Sequence, residues 1–268
     1  MKIILSHDID HIHWKEHYFN DLYLPGVIYR NTKGLLKKNL NFKNYTKRTN
    51  CTGRMHRIPE LIRLYDQNKI KASFFFGMNR ALHLSYKYQK TRPLIQDLIQ
   101  NNHKVGVHGI AYKDAKYIEI EYNRFKEISG LDFFGIRTHY LRLSGYSHHL
   151  FDEQGYLFDS SFDNIMHPFK VNNMWEIPIS IMDASLVENS QLNQDLNIWK
   201  ENTLKRLKKA KEINLSYFVI NFHDIYFSDK FPIIKEWFLW LVELLQSKDY
   251  EFITFEQAVS ELNKKEKG

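Results

Sequence analysis

Cysteine is nearly absent from this chain of 268 residues. Its single cysteine, Cys51, cannot form an internal disulfide, so no disulfide framework supports the fold. Proline and glycine are also scarce, with 6 and 11 residues respectively. These low counts exclude collagen-like repeats and low-complexity segments as the basis of the architecture.

Long apolar runs are missing as well. At the N-terminus only a short apolar stretch, Ile3 to Leu5, precedes a polar run, whereas a secretory signal needs an apolar region of about 7–15 residues. The most apolar stretch, 237–245, contains Glu243 and is much shorter than the ~20 residues of a membrane span. These absences predict a soluble, cytoplasmic protein.

Apolar and aromatic residues for a core are abundant. Hydrophobic residues make up 43% of the chain, aromatic residues 15% and charged residues 26%, which excludes a disordered chain. The length fits one large domain. We expect a single domain over 1–262, followed by a frayed, charged tail at 263–268.

Basic residues are in excess. Lys and Arg (38) outnumber Asp and Glu (31), which leaves a net charge of +7 and favours anionic partners such as phosphates or lipid headgroups. The charge is compatible with peripheral contact with an anionic lipid-linked substrate, whereas no recognised motif supports nucleic-acid binding. The Lys- and Asn-rich segment Arg30–Arg48 is predicted to be a long irregular connection on the surface.

Short β-rich runs alternate with helical patterns along the chain. Apolar residues within 58–65 recur at i, i+3, i+4 and i+7, which predicts an amphipathic helix. Similar patterns predict helices over 118–128 and 197–213, and the segment 231–246 is predicted to be a helix that is apolar nearly all round. Strands that alternate with helices indicate an α/β fold with a parallel sheet or barrel. The predicted strands are Lys2–His7, Lys71–Phe76, Lys104–His108, Phe133–Thr138, Tyr156–Ser160, Met174–Ile179, Tyr217–His223 and Glu251–Phe255.

Acidic, basic and metal-ligating residue types collect at the ends of the predicted strands. In α/β barrels the functional site is built from the C-terminal ends of the strands. Alternate residues of a strand face the same side, so Asp8 and Asp10 can point into one cavity. The same holds for Arg137 and His139. The other residues of this kind at strand ends are His108, Asp159 and His223.

Each of these residues also has an ordinary structural explanation. Two aspartates at a strand end often serve the following turn. A single histidine at a strand end is more often a hydrogen-bonded polar group than a ligand. The number of strand ends that carry such residues exceeds what chance predicts, so the functional interpretation rests on the joint pattern.

The order of these motifs resembles that of the polysaccharide deacetylase family, the NodB-like carbohydrate esterases. The resemblance covers nearly the whole chain, and it implies a single-domain, distorted (β/α) barrel and a divalent metal, usually zinc. The HDxDH form of the first motif and the Arg-x-His-Tyr-Leu-Arg loop resemble a subgroup tied to bacterial surface-polysaccharide and O-antigen synthesis. The matching segments, in chain order, are SHDIDH, KASFFF, HKVGVHG, GIRTHYLR, GYLFDSSF, MWEIPIS, VINFHD and DYEFITFEQAV.

The resemblance implies that Asp10 and His108 hold the metal. The family usually has a second metal histidine four residues after the first, but Tyr112 occupies that position here. The proline of the family's Arg-x-Pro loop is replaced by His139, so one imidazole is lost and another is gained at a neighbouring strand end. We expect His139 to replace the missing ligand. A site without metal stays an alternative, and the other candidates for the third ligand are His11, His13 and Asp114.

The resemblance also implies roles in amide hydrolysis. Asp8 matches the family's catalytic base, which takes the proton of the attacking water, and His223 matches the acid that protonates the departing amine. Arg137 is expected to keep Asp8 ionised and oriented, because a nearby cation lowers the pKa of a carboxylate. Asp159 either fixes Arg137 through a charge-assisted hydrogen bond or serves as a turn or cap beside the two serines that follow it.

These roles predict a hydrolase that removes an N-acetyl or other acyl group from an amino sugar in a cytoplasmic glycan precursor. Its partner is then a glycan or a sugar carrier. Two alternatives are a catalytically inactive glycan-binding protein, which the departure at Tyr112 permits, and a related C–N hydrolase of a small non-sugar amide. Core packing is the simpler explanation for the aromatic residues that could stack on a sugar ring: Trp14, Tyr112, Tyr140 and Trp175.

Overall fold

The computed structural model describes residues 1–19, 21–38, 40–184 and 195–267. These ranges form one α/β domain in which nine strands make a single curled sheet. The strands are β1 Lys2–Ile9, β2 Ser73–Gly77, β3 Lys104–Gly109, β4 Ile136–Thr138, β5 Phe158–Asp159, β6 Phe169–Val171, β7 Met174–Glu176, β8 Ile179–Met182 and β9 Tyr217–Asn221. Their order across the sheet is β6-β7-β5-β4-β3-β2-β1-β9-β8, and the neighbouring strands are parallel except for β6 and β7.

Helices surround the sheet. The four predicted helices, over 58–65, 118–128, 197–213 and 231–246, are confirmed, with small differences at their ends. None of the helices in the described ranges combines the length and the apolar character that crossing a bilayer requires. The α-helices are α1 Tyr23–Leu36, α2 Phe42–Thr49, α3 Ile58–Asn68, α4 Arg92–Gln100, α5 Ala115–Ser129, α6 Ser147–Gln154, α7 Leu196–Glu212, α8 Pro232–Ser247 and α9 Phe255–Lys267.

Alternation along the central strand β1 separates a structural face from a polar, inward face. On the outer face, His7 Nδ1 lies 2.7 Å from the carbonyl oxygen of Phe222, so this histidine is held within the core. On the inner face, Ile4 packs in an apolar cluster, and Ser6 and Asp8 follow it on the same side. The interior of the sheet therefore changes from apolar to polar towards the C-terminal end of the strand.

The last helix fills the apolar end of this interior. Phe255 and Val259 of α9 pack with Ile4 of β1 and Phe75 of β2 in one buried cluster. The ring of Phe255 also stacks on that of Phe158, with ring centroids 4.5 Å apart. Burying each such side chain contributes roughly 1.5–3 kcal/mol, so α9 stabilises the sheet from the inside. The opposite end, where the parallel strands terminate, stays available for polar side chains.

Two of the strand predictions are wrong in detail. The segment Glu251–Phe255 makes only an isolated parallel bridge, between Ile3 and Phe252, because the chain turns into α9 there. The predicted strand Met174–Ile179 is divided into β7 and β8. Pro178 lies at this division, since it has no N–H group to donate within a ladder. The short antiparallel strand β6 has no counterpart among the predicted strands.

The prediction of an irregular connection at Arg30–Arg48 is also wrong, because α1 and α2 cover most of that segment. Val27 of α1 is buried against Trp14 and Met55, which anchors the helix ahead of the predicted range. The side chain of Asn41 caps the first turn of α2. The abundance of Lys and Asn reflects the exposed faces of two short helices whose stability depends on tertiary contacts.

The C-terminal tail is predicted to be frayed over 263–268. Instead, α9 continues through the tail to Lys267, and residue 268 lies outside the described ranges. Trp175 Nε1 donates to Asn263 Oδ1 at 2.8 Å. Lys170 forms an ion pair with Glu266. These contacts with β6 and β7 tie the end of the helix to the edge of the sheet.

Candidate active site

Parallel strands bring their C-terminal ends to one edge of the sheet, and five predicted site residues converge there. Asp8 and Asp10 lie at the end of β1, and His223 follows the neighbouring strand β9. His108 of β3 lies opposite Arg137 of β4 in register. The side chains of Asp10 and His223 are each 17% exposed, whereas those of Asp8 and Arg137 are almost completely buried. The site is therefore open to solvent at Asp10 and His223.

Asp8 and Arg137 form a buried ion pair at the base of the site. Arg137 Nη1 donates to Asp8 Oδ1 at 3.1 Å, and Asn221 Nδ2 donates to Asp8 Oδ2 at 2.6 Å. Burial by itself would raise the pKa of Asp8. The charges of His108, Arg137 and His223 outweigh that effect and hold this pKa below its usual value. The Asp8 carboxylate is therefore ionised at neutral pH.

Arg137 is held by neighbouring strands and not by Asp159. Its Nε and Nη2 donate to the carbonyl and hydroxyl oxygens of Ser160 at 2.9 and 3.0 Å. Its Nη1 also donates to Ser6 Oγ and Asn221 Oδ1, both at 2.9 Å. The predicted bond from Arg137 to Asp159 is replaced by bonds to the next residue, because strand alternation turns Asp159 to the other side.

Asp159 lies in a second buried cluster with Glu176 and His148. Asp159 of β5 and Glu176 of β7 are in register, and His148 Nε2 lies 3.4 Å from Asp159 Oδ2 and 3.2 Å from Glu176 Oε2. Burial, with a contribution from Glu176, raises the pKa of Asp159 well above its usual value, and burial raises the pKa of Glu176 to about 7. Asp159 Oδ1 also accepts a hydrogen bond from the Ser161 hydroxyl. This contact agrees with the alternative role considered for Asp159, that of a turn or cap beside the two serines that follow it.

Asp10, His108 and His139 bring three ligand atoms together on the solvent side of the site. His108 Nε2 and His139 Nδ1 are 2.9 Å apart, and they lie 3.3 and 3.4 Å from Asp10 Oδ1. Donor atoms around a tetrahedral zinc ion, with bonds of about 2.0–2.1 Å, stand about 3.3 Å apart. The three separations fit such a cation.

Backbone carbonyls orient both imidazole rings. His108 Nδ1 lies 3.1 Å from the carbonyl oxygen of Arg137. His139 Nε2 lies 2.9 Å from the carbonyl oxygen of Leu82. A carbonyl only accepts, so these nitrogens carry protons. Burial would lower the pKa of His139, but Asp10 outweighs that effect and raises it. A cation bound here would take the place of the second proton, so that both facing nitrogens would present lone pairs.

A cation also suits the carboxylate that faces these rings. Asp10 Oδ1 is buried and has no hydrogen-bond partner within the described part of the chain. Burial would raise the pKa of Asp10, but His139 and His108 hold it well below its usual value. A carboxylate oxygen and two imidazole lone pairs that face one point match the nitrogen and oxygen ligands of Zn²⁺.

The other residues considered for the third ligand have structural partners. The side chain of His13 accepts a backbone N–H in the turn that follows it, and Asp114 caps the first turn of α5. His11 Nδ1 lies 3.0 Å from His17 Nε2. Tyr112 packs on the hydrophobic core, with the guanidinium of Arg142 4.7 Å from its ring centre. These contacts account for the four side chains without a metal.

An aspartate absent from the sequence prediction orients His223. Asp183 Oδ1 accepts from His223 Nδ1–H at 2.6 Å, and its Oδ2 accepts the backbone N–H of the same histidine at 2.6 Å. Burial by itself would lower the pKa of His223, but Asp183 outweighs that effect. With further contributions from Asp10 and Asp8, this pKa is raised to about 10. His223 Nε2 lies 3.7 Å from Asp10 Oδ2 and 4.0 Å from Asp8 Oδ2.

A sequence signal exists for two of the site residues that the prediction misses. Asp183 directly follows β8, so the strand-end rule applies to it, but the predicted strand stops at Ile179 and hides this position. Asn221 bonds both members of the buried ion pair. It precedes His223 by two residues on an apolar strand, and a polar residue at that spacing indicates the same inward face.

Tyr140 is the aromatic candidate that is both exposed and beside the site. The residue is 61% exposed, and its ring centroid lies 4.2 Å from that of His139. Its backbone φ of 58° is left-handed, a strained conformation for a tyrosine that turns the chain sharply after β4. Trp14 and Trp175 are buried in packed clusters, as the core-packing explanation predicts.

Neither a protein-family model nor a curated protein matches the chain. Solved structures do match. A protein named as a polysaccharide deacetylase from Mycobacterium smegmatis has a TM-score of 0.64 and 12% sequence identity, over 98% of this chain and 90% of that chain. A protein named as a polysaccharide deacetylase from Pseudomonas aeruginosa PAO1 has a TM-score of 0.59 and 12% identity, over 97% and 89% of the two chains.

A third solved structure, PuuE allantoinase, has a TM-score of 0.57 and 12% identity, over 97% of this chain and 88% of that chain. At such identities a structural likeness shows the fold and not the reaction. The three matches nevertheless extend over nearly the whole of this chain, so they concern its entire architecture. The chain has the polysaccharide deacetylase fold, a single-domain, distorted (β/α) barrel of the NodB type.

Proposed function

We propose that this protein is a metal-dependent hydrolase that removes an acyl group, such as N-acetyl, from an amino sugar in a cytoplasmic glycan precursor. The observation that carries the proposal is the placement of an ionised Asp8 and an oriented His223 beside the ligand atoms of Asp10, His108 and His139. The fold that the chain shares with proteins named as polysaccharide deacetylases supports the reaction class.

Asp10, His108 and His139 would hold the metal. When bound there, a zinc ion supplies a Lewis acid that polarises the amide carbonyl and lowers the pKa of a water. The remaining requirements of amide hydrolysis fall to side chains of the protein: a group that takes a proton from water and a group that gives one to the amine.

Asp8 takes the proton of the attacking water. Its two oxygens are held by Arg137 and Asn221, so the carboxylate is fixed in position before the substrate binds. The guanidinium helps to keep the group ionised, and an ionised carboxylate is the form that can accept a proton.

His223 donates the proton that the leaving amine needs. Asp183 accepts from its Nδ1 and its backbone N–H, which fixes the ring with Nε2 towards Asp8 and Asp10. The oxygen of the attacking water, having given a proton to Asp8, forms a bond to the carbonyl carbon. The C–N bond then breaks, and the amine nitrogen leaves with a proton from His223 Nε2. The products are a carboxylate and a free amino group.

The substrate class follows from the surroundings of the site. Tyr140 presents an exposed aromatic ring next to His139, and such a ring can stack on the apolar face of a sugar. The HDxDH form of the first motif supports a role in surface-polysaccharide or O-antigen biosynthesis. A precursor attached to a phosphate-bearing carrier would also suit the basic net charge of the chain.

The test is release of amine and acetate from a panel of N-acetyl sugars, in free, nucleotide-linked and lipid-linked form. The protein is purified without chelators, and its metal content is measured before zinc is added. We expect at least one N-acetyl sugar to be hydrolysed, faster in the presence of zinc. No release from any sugar, together with no bound metal, would contradict the proposal.

The ligand assignment has its own control. His139→Ala should abolish stoichiometric metal binding, because two ligands do not hold zinc tightly. Asp114→Ala, which removes another candidate for the third ligand, should leave the metal content unchanged because Asp114 caps α5. Equal metal content in the two variants would show that His139 is not a ligand.

A second candidate function is hydrolysis of a small non-sugar amide. It is supported by the fold shared with a protein named as an allantoinase. Allantoin therefore belongs in the substrate panel. Turnover of allantoin with no turnover of the sugars would favour this second function.

A further inference from the structure

The positive charge of the chain is concentrated in one segment. Residues 22–59 contain nine Lys and Arg residues and no Asp or Glu, whereas the rest of the chain contains 29 Lys and Arg against 31 Asp and Glu. The whole excess of +7 is therefore located in this segment, which includes α1 and α2. Without it the protein would carry a small negative charge.

The outward side of α1 is apolar as well as cationic. Leu22, Tyr29 and Leu36 are 77%, 66% and 78% exposed, and their spacing of seven residues places them on one side of the helix. Lys33 lies on the same side, with its Nζ 6.0 Å from the Tyr29 ring centre. We call these four residues the α1 face. Seven of the sixteen exposed large apolar residues in the described ranges lie between positions 18 and 42, on or beside α1 and at the start of α2: Tyr18, Phe19, Leu22, Ile28, Tyr29, Leu36 and Phe42.

The inward side of the same region is packed, so the α1 face is not an exposed core surface. Val27 is buried against Trp14 and Met55. At the end of α2, Arg48 Nε donates to the carbonyl oxygen of Lys230 at 2.9 Å. These contacts fix the two helices on the domain and leave the α1 face pointing away from it.

We propose that the α1 face binds the surface of an anionic lipid bilayer. A helix with exposed leucine and aromatic side chains among lysines matches an interfacial helix, whose apolar residues enter the headgroup region while its cations pair with anionic lipids. A nucleic acid would match the charge but would leave the leucines without an apolar partner. A second copy of the chain would place one acid-free basic segment against another.

The bilayer would then lie beside the mouth of the site. Tyr23, the first residue of α1, packs its ring 4.4 Å from that of His11, the residue that follows Asp10. Arg30 of the same helix lies 6.0 Å from the Tyr23 ring centre. If the proposed deacetylase function holds, this placement brings a membrane-bound sugar carrier next to the site. The membrane contact itself does not depend on that function.

The experiment is co-sedimentation of the full chain with two kinds of vesicle. One is pure phosphatidylcholine, and the other contains roughly one third anionic phosphatidylglycerol. We expect binding to the anionic vesicles that weakens as salt is raised, and much weaker binding to the neutral ones. No binding to the anionic vesicles, or equal binding to both kinds, would overturn the proposal.

Two variants of the region test its charge and its apolar surface separately. Lys33→Glu/Lys37→Glu/Lys38→Glu should lower the affinity at least ~10-fold, because three cations that attract the anionic surface are replaced by anions that it repels. Leu22→Ser/Leu36→Ser should lower the affinity about 10-fold through lost apolar contact. All substituted side chains are exposed, so both variants should keep the thermal stability of the parent protein.

Matched controls lie on α7, which also carries a basic run. Lys205→Glu/Lys208→Glu/Lys209→Glu makes the same charge change at exposed positions, and Leu204→Ser removes an exposed leucine. We expect both controls to bind the vesicles like the parent protein. Three results would overturn the proposal: equal loss in the α1 and α7 variants, a dimer that only the α1 variants abolish, or tighter binding to duplex DNA than to vesicles. Because the assay needs no turnover, its outcome is independent of the proposed hydrolase activity.

Discussion

Asp8 is buried beside a cation that is itself fully buried, and each of the two charges stabilises the other. Arg137 makes five hydrogen bonds, to Ser6, Asp8, Asn221 and two atoms of Ser160. A buried ion pair is stable only when its remaining donors and acceptors are satisfied, and here the neighbouring strands provide those partners. The proposed base is thus held rigidly, which is what proton transfer from a positioned water requires.

Replacing Asp8 by Asn tests the proposed base. Asp8→Asn should lower kcat by about 10²–10⁴-fold, because the amide cannot take a proton from water. The bound metal should be retained, since Asp10, His108 and His139 are unchanged. Steady-state kinetics and metal analysis check the two parts. Near-normal turnover would show that another group is the base, and Asp10→Ala, which should lose metal, is the control.

Arg137→Lys tests whether the planar shape of the guanidinium matters. An ammonium keeps the charge but cannot reproduce the fork that reaches Ser160, Ser6 and Asn221 together. Unsatisfied buried acceptors should lower the free energy of unfolding by roughly 1–3 kcal/mol, and kcat should fall as Asp8 loses its position. Urea denaturation and kinetics measure these effects. A fully active and equally stable variant would mean that charge alone is sufficient.

At the scale of secondary-structure elements, close approach between strands and aromatic rings shapes the barrel. A Cβ atom on Gly135, just before β4, would lie 2.3 Å from the ring of Phe158. That ring stacks on Phe255 of α9 and cannot move away freely. Glycine is needed here because the ring occupies the space of a side chain.

Gly135→Ala should therefore lower the free energy of unfolding by about 1–3 kcal/mol through overpacking. Gly145→Ala is the matched control, because a Cβ atom on Gly145 would have no neighbouring atom within 4 Å. Urea denaturation of both variants measures the difference. Equal stability of the two variants would mean that Phe158 and α9 shift easily, and that the inner packing is less rigid than the ring stacking indicates.

The pairing of β5 with β7 makes the stability of the protein depend on pH. Burial raises the pKa of Glu176 from 4.5 to about 7. Between these values the native state holds a proton that the unfolded state has lost, so stability falls as pH rises. The contribution is fully present below pH ~4.5 and is lost as pH rises through ~7, with a size on the order of 3 kcal/mol.

Glu176→Gln isolates this effect. The amide cannot ionise, so the variant should lose less stability than the parent protein between pH 5 and pH 7.5. Urea denaturation at both pH values measures the difference between the two proteins. Titrating groups distant from Glu176 cancel in the comparison, whereas Asp159, whose pKa Glu176 helps to raise, is measured together with it as one pair. The same pH dependence in both proteins would show that Glu176 does not change its protonation in this range.

At the scale of the whole molecule, the proposed metal joins parts of the chain that are distant in sequence. Asp10 follows β1, His108 belongs to β3, and His139 follows β4. A ligand that binds only the native state stabilises it, by about 2.7 kcal/mol when its concentration is 100 times its Kd. Metal binding should therefore be visible as thermal stability of the entire domain.

Removal of the metal with a chelator should lower the Tm by roughly 5 °C or more, and added zinc should restore it. His139→Ala should show a low Tm with or without chelator. Differential scanning calorimetry measures these values. If the chelator removes all of the metal and the Tm does not change, the three ligand atoms do not hold a stabilising cation.

Much of this architecture is local and can be predicted from the sequence. Parallel strands buried on both faces appear as short apolar runs, so most strands are predicted with small errors at their ends. Apolar patterns along the sequence predict four of the nine α-helices in the described ranges. The predictions fail where tertiary contacts replace local signals. The helix α1 extends into the segment Arg30–Arg48, and Val27 anchors it on Trp14 and Met55. At the other end of the chain, the bond between Asn263 and Trp175 holds α9 on the sheet.

The sequence by itself determined which residue types stand at the strand ends, because strand length and side-chain alternation are local properties. Only the tertiary structure decided which of them meet. It placed Asp183 on His223, joined Asp159 to Glu176 and not to Arg137, and brought His139 to His108 and Asp10. The reason is geometric: strand order, sheet curl and turns such as that at Tyr140 set the distances between side chains, and these are properties of the whole chain.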